Sequence, residues 1–148
     1  EHWANFPIER DRLVGIATKV SRPTLFPSGD IHYSELSRWP EKNLYDATSS
    51  GLTETWEYPF PNDNRVEDSL VRTTNFGVLD VDWEKENVGI EFRDKDGAKR
   101  YGARLAFADI TPPAANCAGE KIRKSLRLRS PSVARSAFRT ALLSWGWR

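Results

Sequence analysis

The chain has 148 residues, 29% of them charged and 39% hydrophobic. These are ordinary values for a globular domain, and they exclude a disordered, collagenous or fibrous chain. No run approaches the ~18 consecutive apolar residues of a membrane-spanning helix, and the single cysteine, Cys117, excludes an intrachain disulfide and a cysteine-based zinc site.

The net charge of +1 hides an asymmetry. Residues 117–148 carry eight basic side chains (Lys121, Arg123, Lys124, Arg127, Arg129, Arg135, Arg139, Arg148) against one acid, Glu120, giving +7. The rest holds 14 basic and 20 acidic residues, giving −6. Thr111-Pro112-Pro113-Ala114-Ala115-Asn116 sits at the switch and reads as a linker, because proline breaks both helix and ladder. The predicted organisation is a body over 1–113 and a basic tail over 114–148. The chain begins at Glu1, with no Met and no apolar signal run, so a start that has been cut away, or a fragment, is expected.

Residues 7–20 predict a helix. Pro7 suits the first helical position, Glu9 and Asp11 lie early and Lys19 late, and Leu13, Ile16, Ala17 and Val20 form one apolar stripe. Ser21-Arg22-Pro23 ends it. Thr24-Leu25-Phe26 reads as a short buried strand opening into Pro27-Ser28-Gly29-Asp30-Ile31-His32. Leu44-Tyr45-Asp46-Ala47-Thr48 is a second strand, closed by Ser49-Ser50-Gly51. Residues 57–72, with Pro59, Pro61, Asn62, Asp63 and Asn64, read as an irregular loop.

Residues 75–107 alternate with period two. Leu79, Val81 and Trp83 alternate with Val78, Asp80 and Asp82. Val88, Ile90 and Phe92 alternate with Gly89, Glu91 and Arg93. Tyr101, Ala103, Leu105 and Phe107 alternate with Arg100, Gly102, Arg104 and Ala106. The connections are short, and one contains Asp96-Gly97, a hairpin signal. A three-stranded antiparallel meander follows, with Leu79, Val81, Val88, Ile90, Phe92 and Leu105 buried and Arg93-Asp94 at an exposed hairpin end.

The sharpest chemical candidate is Gly29-Asp30-Ile31-His32. A carboxylate and an imidazole two residues apart, just past a strand, can address one cation or a close pair, and the glycine lets the backbone turn tightly. On residue chemistry alone, a solvated turn aspartate and a hydrogen-bonded histidine are the favoured reading, since a metal site needs several ligands. The other histidine, His2, reads as a surface residue. Thr48-Ser49-Ser50-Gly51 reads as a turn, with a phosphate pocket the functional alternative. Trp3, Trp39, Trp56 and Trp83 read as packing residues, with a ligand-covering role the alternative. No serine nucleophile elbow, nucleotide fingerprint or specific nucleic-acid motif is present.

Taken together, these segments form a pattern. Trp3-x-x-Phe6-Pro7-x-Glu9-Arg10-x-Arg12-Leu13 is followed by Ser28-Gly29-Asp30-Ile31-His32-Tyr33-Ser34-Glu35-Leu36-Ser37-Arg38. Then come Leu44-Tyr45-Asp46-Ala47-Thr48-Ser49-Ser50-Gly51-Leu52-Thr53, Asn64-Arg65, Asn75-Phe76-Gly77 leading into Asp80-Val81-Asp82-Trp83, Glu91-Phe92-Arg93-Asp94 and Asp96-Gly97. Over about residues 1–112 the chain resembles the C-terminal part of the PhoD-like metallophosphatases, or alkaline phosphatase D-like proteins, of the calcineurin-like metallophosphoesterase superfamily.

The resemblance implies an α+β fold, the C-terminal part of an αββα sandwich, and metal-dependent hydrolysis of phosphate mono- or diesters. By the Gly-x-x-His match it assigns Asp30 and His32 as metal ligands, one to each of two ions. Iron, manganese and zinc suit a carboxylate–imidazole pair, with calcium an alternative if oxygen ligands dominate. Such a pair of ions clamps the phosphoryl oxygens and makes water nucleophilic at neutral pH. The family's early ligand motifs lie upstream of Glu1, so the 148-residue chain alone is expected to be inactive, with the missing N-terminal half as its partner and a phosphate ester as substrate. Pro27 stands where an apolar or small strand residue is expected, and it removes a ladder N–H. The segment after Ala114 matches nothing in the family. There, residues 131–145 read as an amphipathic helix that packs on the body or contacts a membrane surface or polyanion. The alternative to an enzyme is a non-catalytic β-rich binding module that keeps the family scaffold.

Overall fold

The computed structural model describes residues 3–113; the basic tail, its expected helix over 131–145, Cys117 and His2 lie outside the described residues. The described chain is mixed α+β, with one α-helix and two three-stranded sheets.

The helix α1 spans Pro7–Val20, as predicted. Pro7 occupies its first turn, and Ser21 ends it in the left-handed region (φ 47°), its N–H donating to Ala17 O at 3.2 Å. The expected apolar stripe is not covered. Ala17 is buried, but Ile16 is 54% and Val20 57% exposed. Periodicity located the helix correctly without saying what packs on it.

The first sheet holds β1 (Leu25–Ser28), β2 (Ser34–Trp39) and β3 (Leu44–Ser49). Their order is β1-β3-β2, with β1 parallel and β2 antiparallel to β3. The strand expected at 24–26 thus runs on through Pro27, which pairs in register with Ala47. Within this sheet β1 is an edge, where proline is tolerated. β2 was not expected. Its residues Ser34, Glu35 and Leu36 are all buried, so the alternation that marks a half-wet strand is absent.

The second sheet is the predicted meander: β4 (Asn75–Asp82), β5 (Asn87–Asp94) and β6 (Lys99–Ala106), antiparallel in that order. The register pairs Leu79 with Ile90, Val81 with Val88, Phe92 with Tyr101, and Val88 with Leu105. The predicted apolar positions therefore share one face. Val88, Ile90 and Phe92 are buried there, Val81 and Leu105 partly so. Leu79 is 38% exposed, a correction that follows from its place on the edge strand β4. Asp94 is also corrected: instead of an exposed hairpin end it is buried at 5% exposure. It accepts N–H bonds from Asp96 (3.0 Å) and Ala98 (2.9 Å) and pairs with Arg100.

The core forms where the two sheets meet. Leu36, Tyr45 and Ala47 of the first sheet cluster with Val88, Ile90 and Phe92 of the second, joined by Val71 and Ile110. Ser21 Oγ donates to Pro112 O (3.0 Å) and Thr24 N to Ile110 O (2.8 Å). Pro112 is buried, so the first residues of the expected linker belong to the packed body.

One polar seam also joins the sheets. Asn75 at the start of β4 is fully buried, accepts from Ser34 Oγ (2.5 Å), and donates through Nδ2 to Thr73 O (2.6 Å) and Val71 O (3.3 Å). Its backbone N–H donates to Gly51 O at 2.9 Å. A Cβ on Gly51 would come within 2.3 Å of Asn75 Nδ2, so this approach requires glycine.

Candidate functional site

Asp30 and His32 lie in the loop over residues 29–33 that leaves the end of β1. Both have positive φ, 75° for Asp30 and 58° for His32. Two left-handed non-glycine residues in one short loop are uncommon and hold only where neighbouring groups over-determine them.

The holding group is Ser50. Its Oγ accepts from Ile31 N (3.0 Å) and His32 N (2.9 Å). Ser50 N donates to Tyr33 O at 3.3 Å. A Cβ on Gly29 would lie 3.3 Å from Ser50 Cβ, so the loop sits against this serine. The Gly29–His32 and Thr48–Gly51 elements, separate in sequence, therefore form one unit. Ser50 does more than end a strand, which is the part that the turn reading of 48–51 missed.

The loop after β3 closes over the same place. Trp56 N donates to His32 O (3.1 Å) and Phe60 N to the Tyr33 hydroxyl (3.2 Å). The Trp56 indole stacks on the His32 imidazole, with centroids 5.3 Å apart and planes 9° from parallel, and Phe60 tilts against Trp56 at 5.6 Å. Glu54 Oε2 lies 3.8 Å from His32 Nδ1. At that distance Glu54 is an electrostatic neighbour rather than a hydrogen-bond acceptor.

Tyr33 is almost fully buried, and its phenol titrates above the usual tyrosine range because burial disfavours the phenolate. It is a positioning group here. Beside it, the buried Glu35 carboxylate is engaged by Arg65 Nε and Asn62 Nδ2, the latter at 2.7 Å. That pairing fastens the long loop to β2, where Arg65 and Val71 also make single bridges to Ser37 and Ser34.

The sequence-predicted residues separate into several places. Asp30 is exposed and His32 half-buried on one loop. Trp56 joins them. Trp3 and Trp39 instead line a cleft of about 350 Å³ beside α1, and Trp83 lies edge-on to Phe107 at 5.6 Å. The tryptophans therefore do not cover one common ligand. Glu54 carries no motif of its own; only its place beside a folded-back loop brings it to His32.

The donor chemistry at the loop, a carboxylate and an imidazole with an acid beside it, fits a share of a transition-metal site. Among the described residues no group of three or more His, Cys, Asp or Glu side chains is gathered to hold an ion. No protein-family model, curated protein or solved structure matches the chain.

Proposed function

We propose that the chain carries the C-terminal part of a PhoD-like, metal-dependent phosphomonoester or phosphodiester hydrolase. In this reading Asp30 and His32 are its late metal ligands, and residues 3–113 contribute two β-layers to an αββα sandwich. The observation that carries the reading is the loop over 29–33. Two residues of a ligand-type motif adopt left-handed backbone at the end of a strand, pinned by Ser50 of the second motif.

Each residue of the loop then has a task. Ser50 holds the backbone so that Asp30 and His32 leave it in fixed directions. Trp56 fixes the imidazole plane by stacking, and Glu54 lies beside its Nδ1 edge. Asp30 contributes a carboxylate on an exposed residue of the loop. When bound, a pair of ions supplies Lewis-acid polarisation of the phosphoryl oxygens. The other ligands of such a centre must come from residues beyond the described ones, and without them the mutual repulsion of two dications is not offset.

Manganese titration of the 148-residue chain, followed by amide NMR, tests the reading. Paramagnetic broadening is expected to centre on residues 29–33 and to vanish in Asp30→Ala and His32→Ala, while p-nitrophenyl phosphate turnover stays at background. Broadening centred elsewhere, or unchanged in both variants, would make the ligand assignment wrong and favour the non-catalytic binding module.

A further inference from the structure

A cleft lies beside α1. It is lined by Trp3 and by Arg10, Leu13 and Val14 of α1, and on the sheet by Phe26, Trp39 and Asp46 among others; its volume is about 350 Å³. The register explains the polarity. Phe26 pairs with Asp46 and Ser28 with Thr48 across β1 and β3, while Ser37 of β2 pairs with Asp46. These side chains share the sheet face opposite the core, where Leu36, Tyr45 and Ala47 point.

Asp46 is the one acid of the cleft lining. Its Oδ1 accepts from Ser28 Oγ (2.5 Å) and Thr48 Oγ1 (2.8 Å). Its Oδ2 takes no hydrogen bond among the described residues. No buried side-chain polar atom there lacks a partner, so Oδ2 meets the open cleft. No cation among the described residues pairs with it either. Arg10 gives Nε and Nη2 to Asp11 (3.0 and 2.9 Å), and Arg38, which also lines the cleft, holds its guanidinium over the Tyr45 ring at 5.7 Å. The other nearby acid, Glu35, is taken by Arg65 and Asn62. Burial raises the Asp46 carboxyl above the usual aspartate range, an effect that the Ser28 and Thr48 hydroxyls oppose.

We propose that this cleft binds a small organic cation, a protonated amine on an aromatic or aliphatic body, with its ammonium on Asp46 Oδ2 and its body between Trp39, Phe26, Leu13 and Trp3. A fixed carboxylate with one oxygen open supplies the charge-assisted bond. Indole and phenyl walls supply apolar contact and attract a cation over their faces. The volume lies at the small end of ligand pockets. The assignment does not rest on the phosphoesterase reading.

Tryptamine, tryptophol and indole-3-propionate share an indole and differ in charge, so they test the site on the native chain by calorimetry and amide NMR. Tryptamine is expected to bind with a Kd at or below about 1 mM, with shifts at Phe26, Ser28 and Asp46. Tryptophol is expected to bind at least about tenfold more weakly, and indole-3-propionate not detectably. Asp46→Asn keeps the Oδ1 acceptor and is expected to reduce tryptamine to the tryptophol level. Val14→Trp, which fills the cleft from the helix, is expected to abolish binding of both. Should Asp46→Asn not fold, the three-ligand comparison on the native chain decides. Equal affinity for tryptamine and tryptophol, unchanged binding in a folded Asp46→Asn, shifts away from the cleft, or no tryptamine binding would each overturn the assignment.

Discussion

At the residue scale, one hydroxyl organises the candidate site. Ser50 Oγ serves two backbone donors of the ligand loop. Ser50→Ala leaves both without that acceptor, and an unmet partly buried donor carries a desolvation cost. The expected loss is about 1–2 kcal/mol in urea unfolding, with faster amide exchange at Ile31 and His32 and little change in the second sheet. A pair of glycines makes a second residue-scale test. Gly15 lies in the interior of α1 with nothing within 4 Å of an added Cβ. Gly15→Ala is expected to stabilise by about 0.5–1 kcal/mol. Gly51→Ala forces a Cβ into Asn75 and is expected to destabilise by about 1–3 kcal/mol. Denaturant midpoints with unchanged slopes check both signs.

At the element scale, the hairpin joining β5 and β6 depends on ionised Asp94. Burial raises its pKa, but the Ala98 N–H, the Arg100 guanidinium and the Asp96 N–H together outweigh burial and hold the carboxyl below the usual aspartate value. A depressed carboxylate contributes stability that is fully present above the unfolded value of about 3.9. That stability is lost as pH falls through the lowered folded value. Asp46 has the opposite sign. Its raised pKa means that the folded state binds the proton more tightly, so its contribution declines as pH rises through the folded value. Asp94→Asn is expected to lower stability at pH 7 and flatten the acid limb below about pH 4, and Asp46→Asn to leave stability at pH 7 equal or higher. Unfolding free energies across pH check the pair.

The same elements show what a sequence can reveal. Pro7 and the paired charges marked α1, and three alternating runs marked the meander with its turns. These are local signals set by backbone sterics and by one wet face. β2 escaped because Ser34 and Glu35 are buried by polar partners, Asn75 and Arg65, which hydropathy does not record. Asp94 escaped for the same reason, since its partners are backbone N–H groups created by the turn itself. Asp30 and His32 were legible as a motif. Their conformation was not, because it is imposed by Ser50, 18 and more residues away.

At the scale of the whole molecule, stability resides between the two sheets, not in the helix. Ile90 is fully buried in the cluster that joins them, whereas Ile16 on α1 is mostly exposed. Ile90→Ala is therefore expected to cost about 2–5 kcal/mol, and Ile16→Glu to change stability by no more than about 0.5 kcal/mol. Equal effects in equilibrium unfolding would show that α1 is packed as tightly as the sheets. The helix-side cleft and the Asp30–His32 loop use different residues of the first sheet, so one small layer carries two chemically distinct surfaces.

In the proposed reading, Ser50 and Trp56 hold the loop so that Asp30 and His32 present a carboxylate and an imidazole nitrogen to a metal ion. Anomalous diffraction from crystals of the chain soaked in manganese measures this directly. The expected result is an anomalous peak within coordination distance, about 2.0–2.2 Å, of the Asp30 carboxylate or a His32 ring nitrogen, with the Ser50 and Trp56 contacts retained. A peak held by other side chains, with Asp30 and His32 directed apart, would contradict it.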